Sequence, residues 1–234
     1  VSFVSQSGML SGVLTSYIVT TNMFGVCKCC AIGNKADLNE SDFLEYLGED
    51  PGTEIITMYL ESLVDGRRFI DAAARISRQK PLLLLKSGRT SQGARASQSH
   101  TAGLAVDDRV AEGAFQQCGI VRVDDLMELL ELTKAFAMQP FQNAGDRVAV
   151  VTTTGGAGVM AADELARRGL IVPRLSERSL ARLREVYPGW VEPDNPVDFW
   201  TTAEQIGTDR ALQHCLQVAL EDDDIDMVLL MIVV

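Results

Sequence analysis

The chain has 234 residues, of which 47% are hydrophobic and 23% charged, values ordinary for a globular protein that buries a sizeable core. Its net charge of -11 argues against a nucleic-acid partner. The longest apolar run, residues 227–234, is too short to span a bilayer, and the five cysteines show neither disulfide nor metal-ligand spacing. Because the start also lacks the pattern of a secretory signal, we expect a reduced, cytoplasmic protein that contacts no membrane.

Strand-like and helix-like segments alternate along the first half of the chain. Helical periodicity recurs between short apolar segments; Asn39 or Ser41 can cap a helix that runs through Tyr46, and Gly119 follows a helix that ends near Cys118. This alternation is typical of a parallel sheet with helices on both faces, a doubly wound α/β domain. The strands are predicted at residues 1–4, 25–32, 54–59, 81–86 and 120–123.

A connector of turn-forming residues at 139–146 separates two predicted domains, residues 1–138 and 147–234. After the connector the alternation restarts. Three strands are too few for an open doubly wound sheet, so we expect the second domain to be incomplete and the sequence to be a piece of a longer protein. The predicted strands are 147–151, 170–172 and 226–234, and the predicted helices are 159–168, 176–186 and 208–221.

Polar and small residues follow the predicted strands of the first domain, at the edge of the sheet where open α/β proteins bind ligands. The turn Ser5-Gln6-Ser7-Gly8 runs from a strand directly into a helix, so its amides and hydroxyls can hold an anion such as phosphate. A plain helix N-cap is the alternative explanation for this turn. The residues that end the other strands are Gly33, Asn34, Glu61, Lys86 and Ser87.

The second predicted domain repeats this arrangement. Residues 152–154 are threonines, and Gly155, Gly156, Ala157 and Gly158 follow them immediately before a helix. Glycine lets the backbone approach an anion closely, and the start of a helix favours negative charge. We predict a phosphate site here. The segment lacks the lysine of a P-loop and the full spacing of a dinucleotide fingerprint, so it is only weak support for a nucleotide site.

His100 is the candidate nucleophile. It lies in residues 86–103, a cationic segment rich in hydroxyl groups and glycine, which we predict to be a flexible loop. An imidazole can carry a phosphoryl group near neutral pH, and Lys86, Ser99 and Thr101 can bind that group. The alternative is a loop histidine without a chemical role.

Glu61 ends an apolar strand, where a carboxylate is costly unless it faces a partner. Its use could be to orient the imidazole of His100, and a solvated strand end is the alternative. The second histidine, His214, lies in a mostly apolar helical pattern, so we predict a packed or surface residue. We predict no metal site.

Several motifs, in the same order along nearly the whole chain, resemble the NDP-forming acyl-CoA synthetases, which are relatives of succinyl-CoA synthetase. The resemblance implies two flavodoxin-like domains and an enzyme that converts a small carboxylate, CoA and ATP into acyl-CoA, ADP and phosphate. This sequence departs from the family pattern at Ala102, where glycine is usual, and in the turn 153–156. The matching motifs are Val4-Ser-Gln-Ser-Gly8, Gly33-Asn-Lys-Ala-Asp37, Tyr59-Leu-Glu61, Lys86-Ser-Gly-Arg89, Ser99-His-Thr101, Val151-Thr-Thr-Thr-Gly-Gly-Ala-Gly158 and Asn195-Pro-Val-Asp198.

The resemblance further implies that His100 is phosphorylated and stabilised by Glu61, between the two helix starts described above. Gly33 and Asn34 would lie near the acyl substrate. CoA and ATP with Mg²⁺ would be substrates, with no metal or prosthetic group bound to this chain. Its partners would be a Rossmann-like CoA-binding domain and an ATP-grasp domain or subunit, without which it should not turn over, in an oligomer.

Two other classes of function stay open. One is a synthetase-like regulatory region fused to a protein lysine acetyltransferase, and the other is a non-catalytic binding module. The presence of both His100 and Glu61 favours the synthetase, because neither alternative needs them chemically. The sequence leaves the acyl group, the choice between ATP and GTP, and the oligomeric state undetermined.

Overall fold

The computed structural model describes residues 1–101, 107–138 and 145–232, except for the side chains of residues 98–101. The chain divides into two compact units, unit 1 from Val1 to Pro140 and unit 2 from Phe141 to Val234. None of the described helices is long and apolar enough to cross a bilayer.

Unit 1 is built on a five-stranded parallel sheet with the strand order β2-β1-β3-β4-β5. This order is that of flavodoxin-like folds, in which the chain winds first to one side of β1 and then to the other. The predicted doubly wound α/β architecture is confirmed. The strands are β1 (Ser2–Ser5), β2 (Lys28–Ala31), β3 (Ile56–Leu60), β4 (Leu82–Lys86) and β5 (Val121–Val123). The helices are α1 (Gly8–Thr20), α2 (Glu40–Glu49), α3 (Gly66–Ile76), α4 (Ser91–Thr101), α5 (Asp108–Gln117) and α6 (Leu126–Met138).

The central strands β1, β3 and β4 of unit 1 are almost completely buried, with successive residues packing on opposite faces of the sheet, whereas the edge strand β2 is partly exposed. Val4 and Leu84 pack with α2, α3 and α5 in one apolar cluster, which includes an edge-to-face contact between Phe69 and Phe115. Phe3 packs with α1 and α6 in a second cluster. Strands covered on both faces need continuous apolar runs, and these runs are what made the strands predictable.

The predicted flexible loop at residues 86–103 is wrong, because residues 91–101 form helix α4. The helix starts after Thr90, whose Oγ1 accepts a hydrogen bond from the amide of Gly93 at 3.0 Å. Alanine, glutamine and arginine within the segment favour a helix. Sequence analysis missed it because the segment carries no apolar stripe with helical spacing.

Unit 2 has a three-stranded parallel sheet in the order β7-β6-β8, so that β6 lies in the centre. Leu180, Leu183, Phe199 and Cys215 pack in the apolar core against one face of β6. The strands are β6 (Val148–Thr152), β7 (Val197–Asp198) and β8 (Met227–Met231), and the helices are α7 (Gly155–Arg167), α8 (Glu177–Arg184), α9 (Trp200–Ile206) and α10 (Thr208–Leu220).

Two predictions for unit 2 need correction. The segment 170–172 is not a strand, because only Ile171 pairs with the sheet, in a single bridge to Arg147. The strand beside β6 is instead the two-residue β7, which sequence patterns missed because it is too short to show a period. Helix α7 also begins at Gly155, four residues before the predicted start, so that the glycines form its first turn.

Candidate active site

The turn after β1 is a capped helix start. Ser7 is the N-cap of α1, and its Oγ accepts a hydrogen bond from the amide of Leu10 at 3.3 Å. The buried Ser5 donates from its Oγ to the carbonyl of Ser7 at 2.8 Å. Both hydroxyls therefore have local partners. Helix α1 begins at Gly8, directly beyond the carboxyl end of β1, and the first-turn amides of such a helix attract anions.

Gln6 connects this turn to the turn after β3. Its side chain is buried, and Oε1 accepts hydrogen bonds from the amides of Glu61 and Ser62 at 2.8 and 3.1 Å. Its Nε2 donates to the Oγ of Ser62 at 3.2 Å. The described contacts of this predicted phosphate ligand thus hold the turn that carries Glu61.

Lys86 ends β4 beside the same turn. Its Nζ donates to the carbonyls of Glu61 at 2.8 Å and of Ser87 at 2.6 Å. Burial lowers the pKa of Lys86, and the nearby charge of Arg122 lowers it further. Lys86 therefore serves here as a second support of the Glu61 turn, and a role of Lys86 or Ser87 toward phosphate stays a prediction.

Glu61 is buried, with 9% of its surface exposed. The hydroxyl of Tyr59 donates to its Oε1 at 3.3 Å, and Ser97 of α4 donates to its backbone carbonyl at 3.2 Å. The solvated strand end considered above is therefore wrong for Glu61. The Ser97 contact holds α4 against the Glu61 turn.

His100 follows Ser97 by three residues in α4, one helical turn further along. The side chains of Ser99, His100 and Thr101 lie outside the described residues. A contact between Glu61 and His100 therefore stays a prediction.

The turn after β2 contains a charged residue that sequence analysis did not single out. Gly33 and Lys35 both adopt left-handed backbone conformations, with φ of 52° and 57°, and Asn34 between them is exposed. Lys35 Nζ lies 2.7 Å from Oε2 of Glu40, and the two side chains are only 2% and 0% exposed. The available signal was a lysine close after the predicted apolar strand 25–32, because a charge that becomes buried there needs a partner.

The glycines at the start of α7 allow close packing. A Cβ at Gly155 would lie 2.9 Å from Oδ2 of Asp198, and one at Gly158 would lie 2.9 Å from Cβ of Pro196. Thr154 is the N-cap of α7 but makes no side-chain capping bond. The first-turn amides of α7 are thus not capped by that threonine, which suits the predicted anion site.

A cavity of 590 Å³ opens beside this helix start. Sequence analysis gave Asp198 only as part of a family motif and did not name Trp200, because β7 was not predicted. The cavity is lined by Thr153, Thr154, Gly155, Asp198, Trp200 and Ile232, among others.

His214 lies in α10, partly buried, with Nε2 3.0 Å from the carbonyl of Arg182. This contact fits the predicted packed histidine. Among the side chains that the structure describes, no group of three or more His, Cys, Asp or Glu residues could hold a metal ion.

Comparison with known sequences places these features in a family. The succinyl-CoA ligase like flavodoxin domain matches residues 1–136, which include the Glu61 turn and the whole of α4. The chain belongs to the succinyl-CoA ligase like flavodoxin domain family. The resemblance drawn from the motifs is thereby confirmed.

Two ADP-forming acetate–CoA ligases align with nearly the whole chain. Acetate–CoA ligase [ADP-forming] II of Archaeoglobus fulgidus is 36% identical over 231 residues, which are 98% of this chain and 34% of the relative. The α subunit of acetate–CoA ligase [ADP-forming] II of Pyrococcus furiosus is 36% identical over 234 residues, 100% of this chain and 50% of the relative. The chain thus spans a third to a half of the length of these relatives.

A solved structure shares the fold of this succinyl-CoA ligase like chain. The dinucleotide-forming acetyl-coenzyme A synthetase 1 of Ca. Korarchaeum cryptofilum, in complex with phosphate and ADP, superimposes with a TM-score of 0.88 at 34% identity. The match covers 99% of this chain and 49% of that one. It confirms the predicted succinyl-CoA synthetase-like α/β fold.

Proposed function

We propose that this chain is the part of an NDP-forming acyl-CoA synthetase that carries the phosphoryl group on His100. The observation that carries the proposal is the immobilised Glu61 turn, against which Ser97 holds α4 one helical turn before His100. The ADP-forming ligases that align with the whole chain support the same reaction. The complete protein would convert a small carboxylate, CoA and ATP into acyl-CoA, ADP and phosphate.

The reaction would proceed in three steps. An imidazole nitrogen of His100 attacks the γ-phosphorus of ATP, so that an N–P bond forms and the bond to the β-phosphate oxygen breaks, which releases ADP. A carboxylate oxygen then takes the phosphoryl group and gives an acyl phosphate and free imidazole. Finally the CoA sulfur attacks the acyl carbon, loses its proton, and expels phosphate.

Glu61 would favour the imidazole tautomer that presents the attacking nitrogen and would stabilise the positive charge on the phosphorylated ring. The turn around Glu61 supports this role because Gln6 and Lys86 fix its backbone. A preorganised carboxylate costs no reorganisation when the charge develops.

The phosphoryl group itself would lie among helix-start amides and hydroxyl groups. The candidates are Ser5, Gln6, Ser7, Gly8, Gly155, Gly156, Ala157, Gly158, Lys86, Ser87, Ser99 and Thr101, with Gly33 and Asn34 near the substrate. The start of α7, where Thr154 makes no side-chain capping bond, supports the second half of this set. Mg²⁺ would accompany the nucleotide.

The remaining parts of the reaction would come from partners. We propose a Rossmann-like domain for CoA and an ATP-grasp domain or subunit for ATP, in an oligomer located in the cytoplasm. Within this chain we propose a first domain at residues 1–138, a linker at 139–146 and a second domain at 147–234.

The test is turnover of the full-length protein together with its ATP-grasp domain or subunit. With ATP, CoA and acetate we expect equal amounts of ADP and acetyl-CoA. His100→Asn should abolish turnover, and Glu61→Gln should lower kcat at least about 10-fold. Turnover that persists in His100→Asn contradicts the proposal. Ligand binding that changes lysine acetylation, without turnover, would instead identify the regulatory alternative. If the protein shows neither turnover nor an effect on acetylation, the non-catalytic binding module is the alternative that stays open.

A further inference from the structure

Lys35 and Glu40 form an ion pair inside unit 1, between the turn after β2 and the start of α2. Their charged atoms lie 2.7 Å apart, and both side chains are almost completely buried. Burial lowers the pKa of Lys35, and the carboxylate of Glu40 opposes this effect. A buried ion pair is often no more stable than an apolar pair of similar volume, so stability alone does not explain it.

Both members of the pair bind the turn after β3. Lys35 Nζ donates to the carbonyl of Ser62 at 2.6 Å, and Oε1 of Glu40 accepts from the amide of Val64 at 2.6 Å. The ion pair therefore binds the turn at two points, Ser62 and Val64, immediately after Glu61.

Together with the contacts of Gln6 and Lys86, this completes the hydrogen bonding of the Glu61–Ser62 backbone. Both amides donate to Gln6, the carbonyl of Glu61 accepts from Lys86, and the carbonyl of Ser62 accepts from Lys35. Each of these partners is a side chain from another strand or turn. A backbone fixed in this way leaves Glu61 little freedom to move its carboxylate.

We propose that Lys35 and Glu40 are positioning residues, which hold the Glu61 carboxylate in place for phosphoryl transfer by fixing the backbone that follows it. The proposal rests on the proposed function, because it concerns the same step. Neither residue needs to touch the phosphoryl group. Their effect passes through Ser62 and Val64 to Glu61.

The test uses single-turnover phosphorylation of His100 by ATP in the full-length protein with its ATP-grasp domain or subunit. The variant Lys35→Met/Glu40→Gln removes both charges and keeps an acceptor for the amide of Val64, so the fold should persist. We expect phosphorylation to slow about 10- to 100-fold, as displacements near 1 Å do, while the ATP concentration for half-maximal rate stays unchanged. The matched control is Lys28→Met, which breaks a different ion pair, between β2 and Asp50 at 2.6 Å, away from the turn.

A double-mutant cycle separates positioning from general damage. In a Glu61→Gln background, the Lys35→Met/Glu40→Gln change should slow phosphorylation less than about twofold. An equal slowing in both backgrounds, or a wild-type rate in the Lys35→Met/Glu40→Gln variant, overturns the proposal. If Glu61→Gln is too slow to measure, amide exchange decides. Loss of the Lys35 bond to the Ser62 carbonyl must speed exchange at the amides of Glu61 and Ser62 in the pair variant and not in Lys28→Met, and unchanged exchange overturns the proposal. Wild type that acquires no phosphate on His100 would instead overturn the proposed function.

Discussion

The side chain of Asn195 pairs with the backbone of Val150 in the place of a strand residue. Asn195 Oδ1 accepts a hydrogen bond from the amide of Val150 at 2.8 Å, and its Nδ2 donates to the carbonyls of Val148 and Pro173, each at 2.9 Å. On this side of the central strand β6, Arg147 just before the strand bridges to Ile171, and Val151 pairs with Val197. Between these two pairings, Asn195 supplies the hydrogen-bond partners of Val148 and Val150. A side-chain amide thus continues a ladder that the backbone leaves open.

We predict that Asn195→Ala destabilises unit 2 by roughly 3 kcal/mol, because it leaves a buried amide and two carbonyls without their partner. Both tryptophans of the chain, Trp190 and Trp200, lie in unit 2, so a urea titration followed by their fluorescence measures this unit. Gln205→Ala, at an exposed amide in α9, is the control. An unchanged urea midpoint in Asn195→Ala would show that the sheet does not depend on this amide.

Two glycines in the first turn of α7 should respond oppositely to alanine. A Cβ at Gly158 would lie 2.9 Å from Cβ of Pro196 and 3.2 Å from Cγ2 of Thr152, so we expect Gly158→Ala to cost about 1–3 kcal/mol. A Cβ at Gly156 would meet no described atom within 4 Å outside the local helix, so Gly156→Ala should be neutral or stabilise by roughly 0.5 kcal/mol. The same urea titration measures both, and a neutral Gly158→Ala contradicts the packing described here.

The cysteines should react with a thiol reagent in the order of their exposure. Cys27 and Cys29 are exposed, Cys30 is partly buried, and Cys118 and Cys215 are buried. Burial raises the pKa of Cys215 to about 12, which leaves it almost entirely a thiol at pH 8. Mass spectrometry after timed maleimide labelling should find fast modification of two residues, slower modification of Cys30, and none of the buried pair before unfolding. Rapid labelling of Cys215 in folded protein would refute this order.

Asp222 should make the stability of unit 2 depend on acid pH. Burial acts to raise its pKa, but hydrogen bonds from Ser179, the amide of Asp224 and Ser176 outweigh burial and lower the pKa. Since the folded pKa lies below the unfolded value of about 3.9, the stabilisation is complete above that value and is lost as the pH falls through the folded pKa.

We therefore expect Asp222→Asn to cost about 2–3 kcal/mol at pH 7, from the loss of bonds to a charged acceptor, and less as the pH drops below about 4. Urea midpoints measured from pH 7 to pH 3 check this. The control is Asp163→Asn, at an exposed position of α7, which should stay near wild type. A destabilisation in Asp222→Asn that does not shrink below pH 4 would contradict the assigned pKa direction.

The parts of the fold that the sequence predicted correctly are those with a strong local signal. The central strands of unit 1 are buried on both faces and so appear as apolar runs, of which Leu82–Lys86 is the clearest. Helix α4 was missed because its segment has no apolar stripe, and β7 because two residues show no period. Both errors come from the absence of a hydrophobic pattern, not from a misleading one.

The candidate site was predictable in its residue types but not in its connections. Glu61 and Gln6 were recognisable as polar residues at strand ends, where parallel sheets bind ligands. Gln6 binds the turn of Glu61, and Lys35 supports that turn from the turn after β2. These contacts join residues 55 and 27 positions apart. Such long-range contacts depend on the strand order β2-β1-β3, which local patterns do not contain.

The central claim, that His100 carries the phosphoryl group, is tested most directly by labelling the full-length protein and its ATP-grasp domain or subunit with ATP that carries a labelled γ-phosphate. We predict a label that is lost in acid and stable in base, absent in His100→Asn and retained in His214→Asn, the variant of the chain's one other histidine. Acetate and CoA together should discharge it. Label that remains on His100→Asn, or folded wild type that binds ATP without acquiring label, would contradict the account.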